Sequence, residues 1–200
     1  MNNNPQILII NGSARKGKNC ESIAKEISLR LNGNSITNKI FNIYDMEIEY
    51  CNACGFCEKT GYCRINDEMT PMYKMFDDSI GTIVISPVHF DSTSAKVKTI
   101  VDRTQAIYAS KYILKNSMID RSKKRIGMYI AVGGSKPYET QFKGGDIVMD
   151  FFFKSINSKL LYKLKLNKTD GVYYEENKEF KESLDENIKS YIDDIKNIDN

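Results

Sequence analysis

Four of the five cysteines stand in one short run, Cys51-Asn52-Ala53-Cys54-Gly55-Phe56-Cys57-Glu58-Lys59-Thr60-Gly61-Tyr62-Cys63. Isolated cysteines are usually small buried packing residues. Three at identical spacing with a fourth close behind are ligands in waiting. A structural zinc holds its sulfurs only about 3.8 Å apart, with Zn–S bonds of about 2.3 Å, and usually takes two Cys pairs from separated stretches of chain. Here one continuous loop supplies every thiol, the habit of cubane iron–sulfur sites. The expectation is that Cys51, Cys54, Cys57 and Cys63 together hold one [4Fe–4S] cluster. Gly55 and Gly61 suit a loop that must wrap closely. An all-Cys zinc site remains the alternative. A pair of disulfides is disfavoured, because the opening Met1-Asn2-Asn3-Asn4-Pro5 has neither a basic region nor a long apolar stretch to act as a signal peptide.

A second kind of chemistry is written after the first apolar run. Asn11-Gly12-Ser13-Ala14-Arg15-Lys16-Gly17-Lys18-Asn19 leads into a helix, whose first turn offers free N–H groups and positive partial charge. Ser13 adds a hydroxyl, Arg15 a guanidinium able to fork onto phosphate oxygens, and Asn19 a helix cap or a donor to the ligand. The loop suits one anionic head group, although neither the P-loop register nor a G-x-G-x-x-G is present. Ser86-Pro87-Val88-His89-Phe90 and Val132-Gly133-Gly134-Ser135 follow two later apolar runs. In a parallel sheet all three loops fall at the carboxyl edge, where a phosphate in the first and a flat ring between the others can share one ligand.

The elements that must position these loops are legible in the hydrophobic pattern. Residues 7–10, 40–43, 82–85 (stopped by Pro87), 126–132 and 161–166 read as strands, most of them apolar enough to be buried on both faces. Between them lie helical stripes: Cys20, Ile23, Ala24, Ile27 and Leu31; Met69, Met72, Tyr73 and Phe76, with Pro71 in the first turn; Val97, Ile100, Val101, Thr104 and Tyr108; and a helix over residues 146–160. Phe180, Leu184, Ile188, Tyr191 and Ile195 stripe a closing helix. Strand–helix alternation over the whole length predicts a doubly wound α/β sheet of five strands. The 200 residues are expected to form one domain, 1–200, with the cysteine-rich loop inserted at about 47–66 after the second strand. A net charge of +3 argues against a nucleic-acid binder, and no apolar run is long enough to span a membrane, so a cytoplasmic protein is expected.

Taken in order, the Gly12-to-Cys20 loop, the cysteine run with Asn66-Asp67-Glu68-Met69 after it, Ser86-Pro87-Val88, Lys98 to Asp102-Arg103 and Val132-Gly133-Gly134-Ser135 resemble the iron–sulfur flavoprotein family, a branch of the flavodoxin-like NADPH-dependent FMN reductases. The resemblance covers roughly the first three-quarters of the chain. It implies a flavodoxin-like sheet of order 2-1-3-4-5, FMN, one [4Fe–4S] cluster, and a homodimer or homotetramer in which the cluster lies near a neighbouring subunit's flavin. Residue by residue it implies that Ser13, Arg15, Asn19 and Cys20 hold the FMN phosphate. Pro87, Val88 and His89 would line one side of the isoalloxazine ring, with Gly133 and Gly134 on the other. The chain departs from the family at Ala14, where proline is usual, at His89, where tyrosine is usual, and after Ser135, where Lys136-Pro137-Tyr138-Glu139 replaces a glycine-richer stretch.

The function this implies is electron transfer from a ferredoxin-type donor to an acceptor. An NAD(P)H-dependent FMN or quinone reductase without a cluster is the alternative, and a non-enzymatic redox sensor is an alternative of another class. Cys20 reads as a buried filler, and the basic run from Arg121 to Arg125 as a solvated face more readily than as a dock for an acidic electron carrier.

Overall fold

The computed structural model describes residues 6–198. The N-terminal Met-Asn-Asn-Asn-Pro stretch, in which no signal peptide was read, lies outside the described residues. Five strands, β1 (Ile7–Asn11), β2 (Asn38–Asn42), β3 (Gly81–Pro87), β4 (Ile126–Val132) and β5 (Lys159–Leu166), form one parallel sheet in the order β2-β1-β3-β4-β5. Successive side chains in a strand point to opposite faces. Ile7 and Ile9 of β1 accordingly join α1 (Asn19–Gly33) and α7 (Lys178–Ile198) in one core. Leu8 and Ile10 join the core on the other face, under α3 (Thr70–Asp78), α4 (Ala95–Arg103) and α6 (Lys143–Ser155). Two-sided burial is why β1, β3 and β4 are almost continuously apolar.

Several boundaries differ from the sequence reading, each for a local reason. Ile43 leaves β2 to start a 3-10 turn, Ile43–Asp45. The helix read over 146–160 begins at Lys143 and stops at Ser155, because Asn157 adopts a left-handed conformation (φ 56°) and the Ser158 N–H turns back to the Phe153 carbonyl at 2.8 Å. The chain is then free to enter β5 at Lys159. The stripe from Val97 to Tyr108 is broken at Thr104, whose hydroxyl donates to the Val101 carbonyl at 2.6 Å. A short helix, α5 (Gln105–Tyr108), and a π-helical turn, Ala109–Ile113, follow on a new register that buries Ala106 and Ile107 and exposes Tyr108.

The basic run before β4 is not simply solvated. Arg125 is buried; its guanidinium donates to the carbonyls of Ser79, Asp120 and Asp77 and pairs with the Asp77 carboxylate at 2.7 Å. Arg121 donates to the Ser155 and Lys154 carbonyls at the end of α6. These two cations tie the stretch before β4 to the ends of α3 and α6, whereas Lys124 is exposed. Among the described residues no helix is long and apolar enough to cross a membrane.

Candidate functional site

The three β-to-α loops do meet. All nine residues assigned to a flavin from the resemblance, on the connections that follow β1, β3 and β4 or at the strand end and helix start that flank them, line one cleft of about 780 Å³ at the carboxyl edge of the sheet. The first loop is held by its own polar groups: the Ser13 N–H donates to Asn11 Oδ1, the Arg15 N–H to Ser13 Oγ, and the Gly17 N–H to the Glu21 carboxylate at 2.6 Å. Lys18, not Asn19, occupies the helix-cap position, and no side chain caps α1 there. The first-turn N–H groups therefore keep their capacity for an anion. Asn19 is buried instead and accepts the Tyr174 N–H on its Oδ1 at 2.8 Å. Arg15 is exposed, and its guanidinium makes no hydrogen bond or ion pair among the described residues. Cys20 is buried, and burial pushes its thiol up to about 12, consistent with a filler and not a redox group.

The second loop turns sharply. His89 and Ser92 exchange backbone hydrogen bonds at 3.0 Å across Phe90 and Asp91, which both have positive φ (50° and 59°). Two left-handed residues are the mark of a type I′ turn, an uncommon conformation for phenylalanine. It is secured through Asp91, which accepts the Tyr138 and Thr140 hydroxyls on its carboxylate and the Gly145 N–H on its carbonyl. Those two hydroxyl contacts hold the Asp91 carboxyl below the ordinary range. Phe90 is left fully exposed at the mouth of the cleft.

The third loop needs its glycines for a local reason. A Cβ on Gly133 would lie 2.6 Å from Gln141 Nε2, and one on Gly134 would lie 2.4 Å from the Asp170 carboxylate. Neighbouring protein groups, not only a ring, exclude side chains here. The segment after β5 supplies the rest of that wall, and neither its role nor that of Gln141 carried any motif.

The four cysteines of the run line a second cavity, about 320 Å³, together with Asp102, Arg103, Gln105 and Ala106. The short helix α2 (Phe56–Thr60) lies inside the run, flanked by Gly55 and Gly61 at φ 70° and 78°. Cys51, Cys57 and Cys63 are half-buried and Cys54 is exposed. Burial raises the Cys57 thiol, and its neighbours Cys63 and Cys51 raise it further. Among the described residues no three His, Cys, Asp or Glu side chains close on a point as a single metal ion requires. The fit to a cluster lies in donor identity and a shared wall, and the thiols are not already gathered around one centre.

What holds this loop in place was not legible as a contact. Arg103, buried at the end of α4, forks onto Asp67 at 2.6 and 3.0 Å and also donates to the carbonyls of Glu49 and Ile65. Asp67 in turn accepts the N–H groups of Glu49 and Met69. One buried ion pair thus clamps the chain on both sides of the cysteine run.

Comparison with known proteins agrees with this architecture. The chain is 33% identical to an iron–sulfur flavoprotein of Archaeoglobus fulgidus over 130 residues, 65% of this chain and 63% of that protein. It is 32% identical to one of Methanosarcina thermophila over 64% of this chain and 62% of that protein. The matches thus span less than two thirds of the length of these relatives. Among solved structures, an FMN-dependent NADH-azoreductase from Bacillus anthracis superposes with a TM-score of 0.67 at 14% identity, over 94% of this chain and 98% of that one. An archaeal flavodoxin superposes at 0.52 and 9%, over 97% and 98%. At such identities these two speak for the fold, which is flavodoxin-like. Residues 5–140 match the model of the NADPH-dependent FMN reductase family, and the chain belongs to that family.

Proposed function

We propose that this protein is a flavin-dependent oxidoreductase that binds FMN in the carboxyl-edge cleft and a [4Fe–4S] cluster in the cysteine cavity, and that it passes electrons from a ferredoxin-type donor to an acceptor. The observation that carries the reading is convergence: loops from three separated stretches of chain line one cleft, and all four cysteines of the run line another. When bound, FMN supplies two-electron chemistry and the cluster one-electron chemistry. Ser13, Arg15 and the N–H groups at the start of α1 bind and orient the phosphate. Pro87, Val88 and His89 form one wall for the ring, Gly133 and Gly134 the other. Cys51, Cys54, Cys57 and Cys63 supply thiolates, and the Arg103 cation beside them offsets their negative charge.

The names of the curated relatives support the cluster. Exposed Phe56 on α2 and exposed Tyr108 and Tyr112 on the α5 and π-helical segments that contact α2 support a second copy of the chain covering that face in a homodimer or homotetramer. The second reading, an NAD(P)H-dependent FMN or quinone reductase without a cluster, is favoured by the family description and by cysteines not gathered around one centre. Anaerobic purification with iron and acid-labile sulfide counts, a visible spectrum, and reduction by ferredoxin and by NAD(P)H separates the two. Four irons and four sulfides per chain with reduction by ferredoxin support the first. A yellow protein without sulfide that accepts electrons from NAD(P)H establishes the second.

A further inference from the structure

The wall of the flavin cleft is not complete within the stretch matched by the family. Residues 167–174, beyond that match at 5–140, cross from one end of the cleft to the other. At one end the N–H groups of Lys168, Thr169 and Asp170 donate to the carbonyls of Ser135, Gly133 and Gly134 at 2.9, 3.2 and 3.2 Å. At the other end Lys18 donates to the Tyr173 hydroxyl at 2.7 Å and the Tyr174 N–H reaches Asn19. The strap is therefore fastened to both the ring loop and the phosphate loop.

The strap also gives the cleft a polarity. Arg15 and Lys18 stand at the phosphate-loop end, whereas the Asp170 carboxylate lies directly over Gly134 at the other. Asp170 is exposed, and its side chain has no hydrogen-bond or ion-pair partner among the described residues. A carboxylate accepts hydrogen bonds and donates none. The ligand that complements such a cleft carries an anion at one end and a ring edge with an N–H at the other.

Resting on the FMN reading above, we infer that Asp170 is a specificity-determining residue that accepts the imide N–H (N3) of the flavin's pyrimidine edge, on a strap that completes the wall of the cleft. A hydrogen bond to a charged acceptor distinguishes a ligand with the N–H from one without it by about ten- to a hundredfold in affinity. The test titrates anaerobic, flavin-depleted full-length protein with FMN and with 3-methyl-FMN, following flavin fluorescence. Wild type is expected to prefer FMN by at least about tenfold. Asp170→Ala should bring the two flavins to nearly equal affinity by weakening FMN alone, while Asp170→Asn, which keeps an acceptor oxygen, should retain part of the preference. Wild type that binds FMN tightly and 3-methyl-FMN equally well overturns the assignment of Asp170 and leaves the flavin site standing. Wild type that binds neither overturns the flavin reading and this inference with it. The wild-type comparison needs no substitution, so it does not depend on any variant folding.

Discussion

Replacing Asp67 by alanine should unfasten the cysteine run more than any exposed change near it. The substitution leaves the Arg103 guanidinium, whose side chain is 0% exposed, without its counter-charge. It also removes the acceptor for the Glu49 and Met69 N–H groups. Breaking a buried ion pair by deleting one partner costs about 3–5 kcal/mol, because the survivor stays desolvated. For a chain of this size each kcal/mol is worth about 2–4 °C in Tm, so a fall of roughly 6–20 °C is expected. Circular dichroism of the apoprotein measures both, the free-energy loss by urea unfolding and the fall in Tm by heating. Asp67→Ala/Arg103→Leu should be no less stable than Asp67→Ala alone, since the second change removes the stranded charge while giving up bonds to two carbonyls. The pH dependence has a definite sign. Burial works to raise the Asp67 carboxyl, but the hydrogen bonds from Arg103 and the Glu49 N–H, with the charge of Arg103, hold it below the ordinary range. A depressed folded-state value gives stability that is whole above the unfolded value, about 3.9, and is lost as pH falls through the folded one. Wild type should therefore lose stability below about pH 4 more steeply than Asp67→Ala. A loss under about 1 kcal/mol at neutral pH, or single-variant costs that simply add in the double, would refute the clamp.

Arg15→Ala should weaken FMN binding by about 1.5–3 kcal/mol while leaving iron content unchanged; unaltered affinity by fluorescence titration would mean the phosphate sits elsewhere. Cys63→Ala should lose or degrade the cluster but keep FMN, read as iron per chain and the low-temperature EPR signal of the reduced protein, and a full four-iron cluster in that variant would show that the fourth ligand is another residue. Gly12→Ala places a Cβ 2.3 Å from Val97 Cγ2 and 3.1 Å from the Ile85 carbonyl. It should cost about 1–3 kcal/mol in denaturant titration and loosen FMN binding by moving the phosphate loop; unchanged stability would mean that Val97 yields freely.

The sheet was readable because burial on both faces leaves little room for polar residues. The apolar runs at 7–10, 82–85 and 126–132 could be little else, and each lies within an observed strand. Helix stripes were readable for the same reason, with Phe180, Leu184, Ile188, Tyr191 and Ile195 all buried along α7. Boundaries failed where one residue decides them: Asn157 by its left-handed backbone, Thr104 by a hydroxyl turned onto its own helix. Neither residue type is diagnostic of those conformations. Arg125 was misread because a basic run looks solvated in sequence, while most of its real partners, Asp77 with its carbonyl and the Ser79 carbonyl, come from the end of α3, 46 to 48 residues earlier in the chain. The strap at 167–174 was illegible because its hydrogen bonds to the loop after β4 and to Lys18 and Asn19 are long-range and mostly made by backbone.

The two cavities also stand in a definite relation that no motif encodes. Ser94, which precedes α4, donates its hydroxyl to the Gly12 carbonyl at 2.7 Å, beside the phosphate loop. Arg103, the last residue of α4, faces the cysteine cavity. Nine helical residues at 1.5 Å each separate those points by about 13 Å. Within one chain the helix is a spacer that holds the cavities apart, and its buried ends, fixed through Gly12 and Asp67, keep that spacing rigid. A second chain is under no such constraint. If its flavin cleft is brought over exposed Phe56, Tyr108 and Tyr112, on α2 and the segments that contact it, the separation is set by side-chain contact instead of helix length. The exposed Phe90 at the mouth of the cleft then has an apolar surface to meet. In that arrangement the clamp between Asp67 and Arg103 acquires a role beyond stability, since a cysteine loop docking on another subunit loses less conformational freedom if it is already held in one shape.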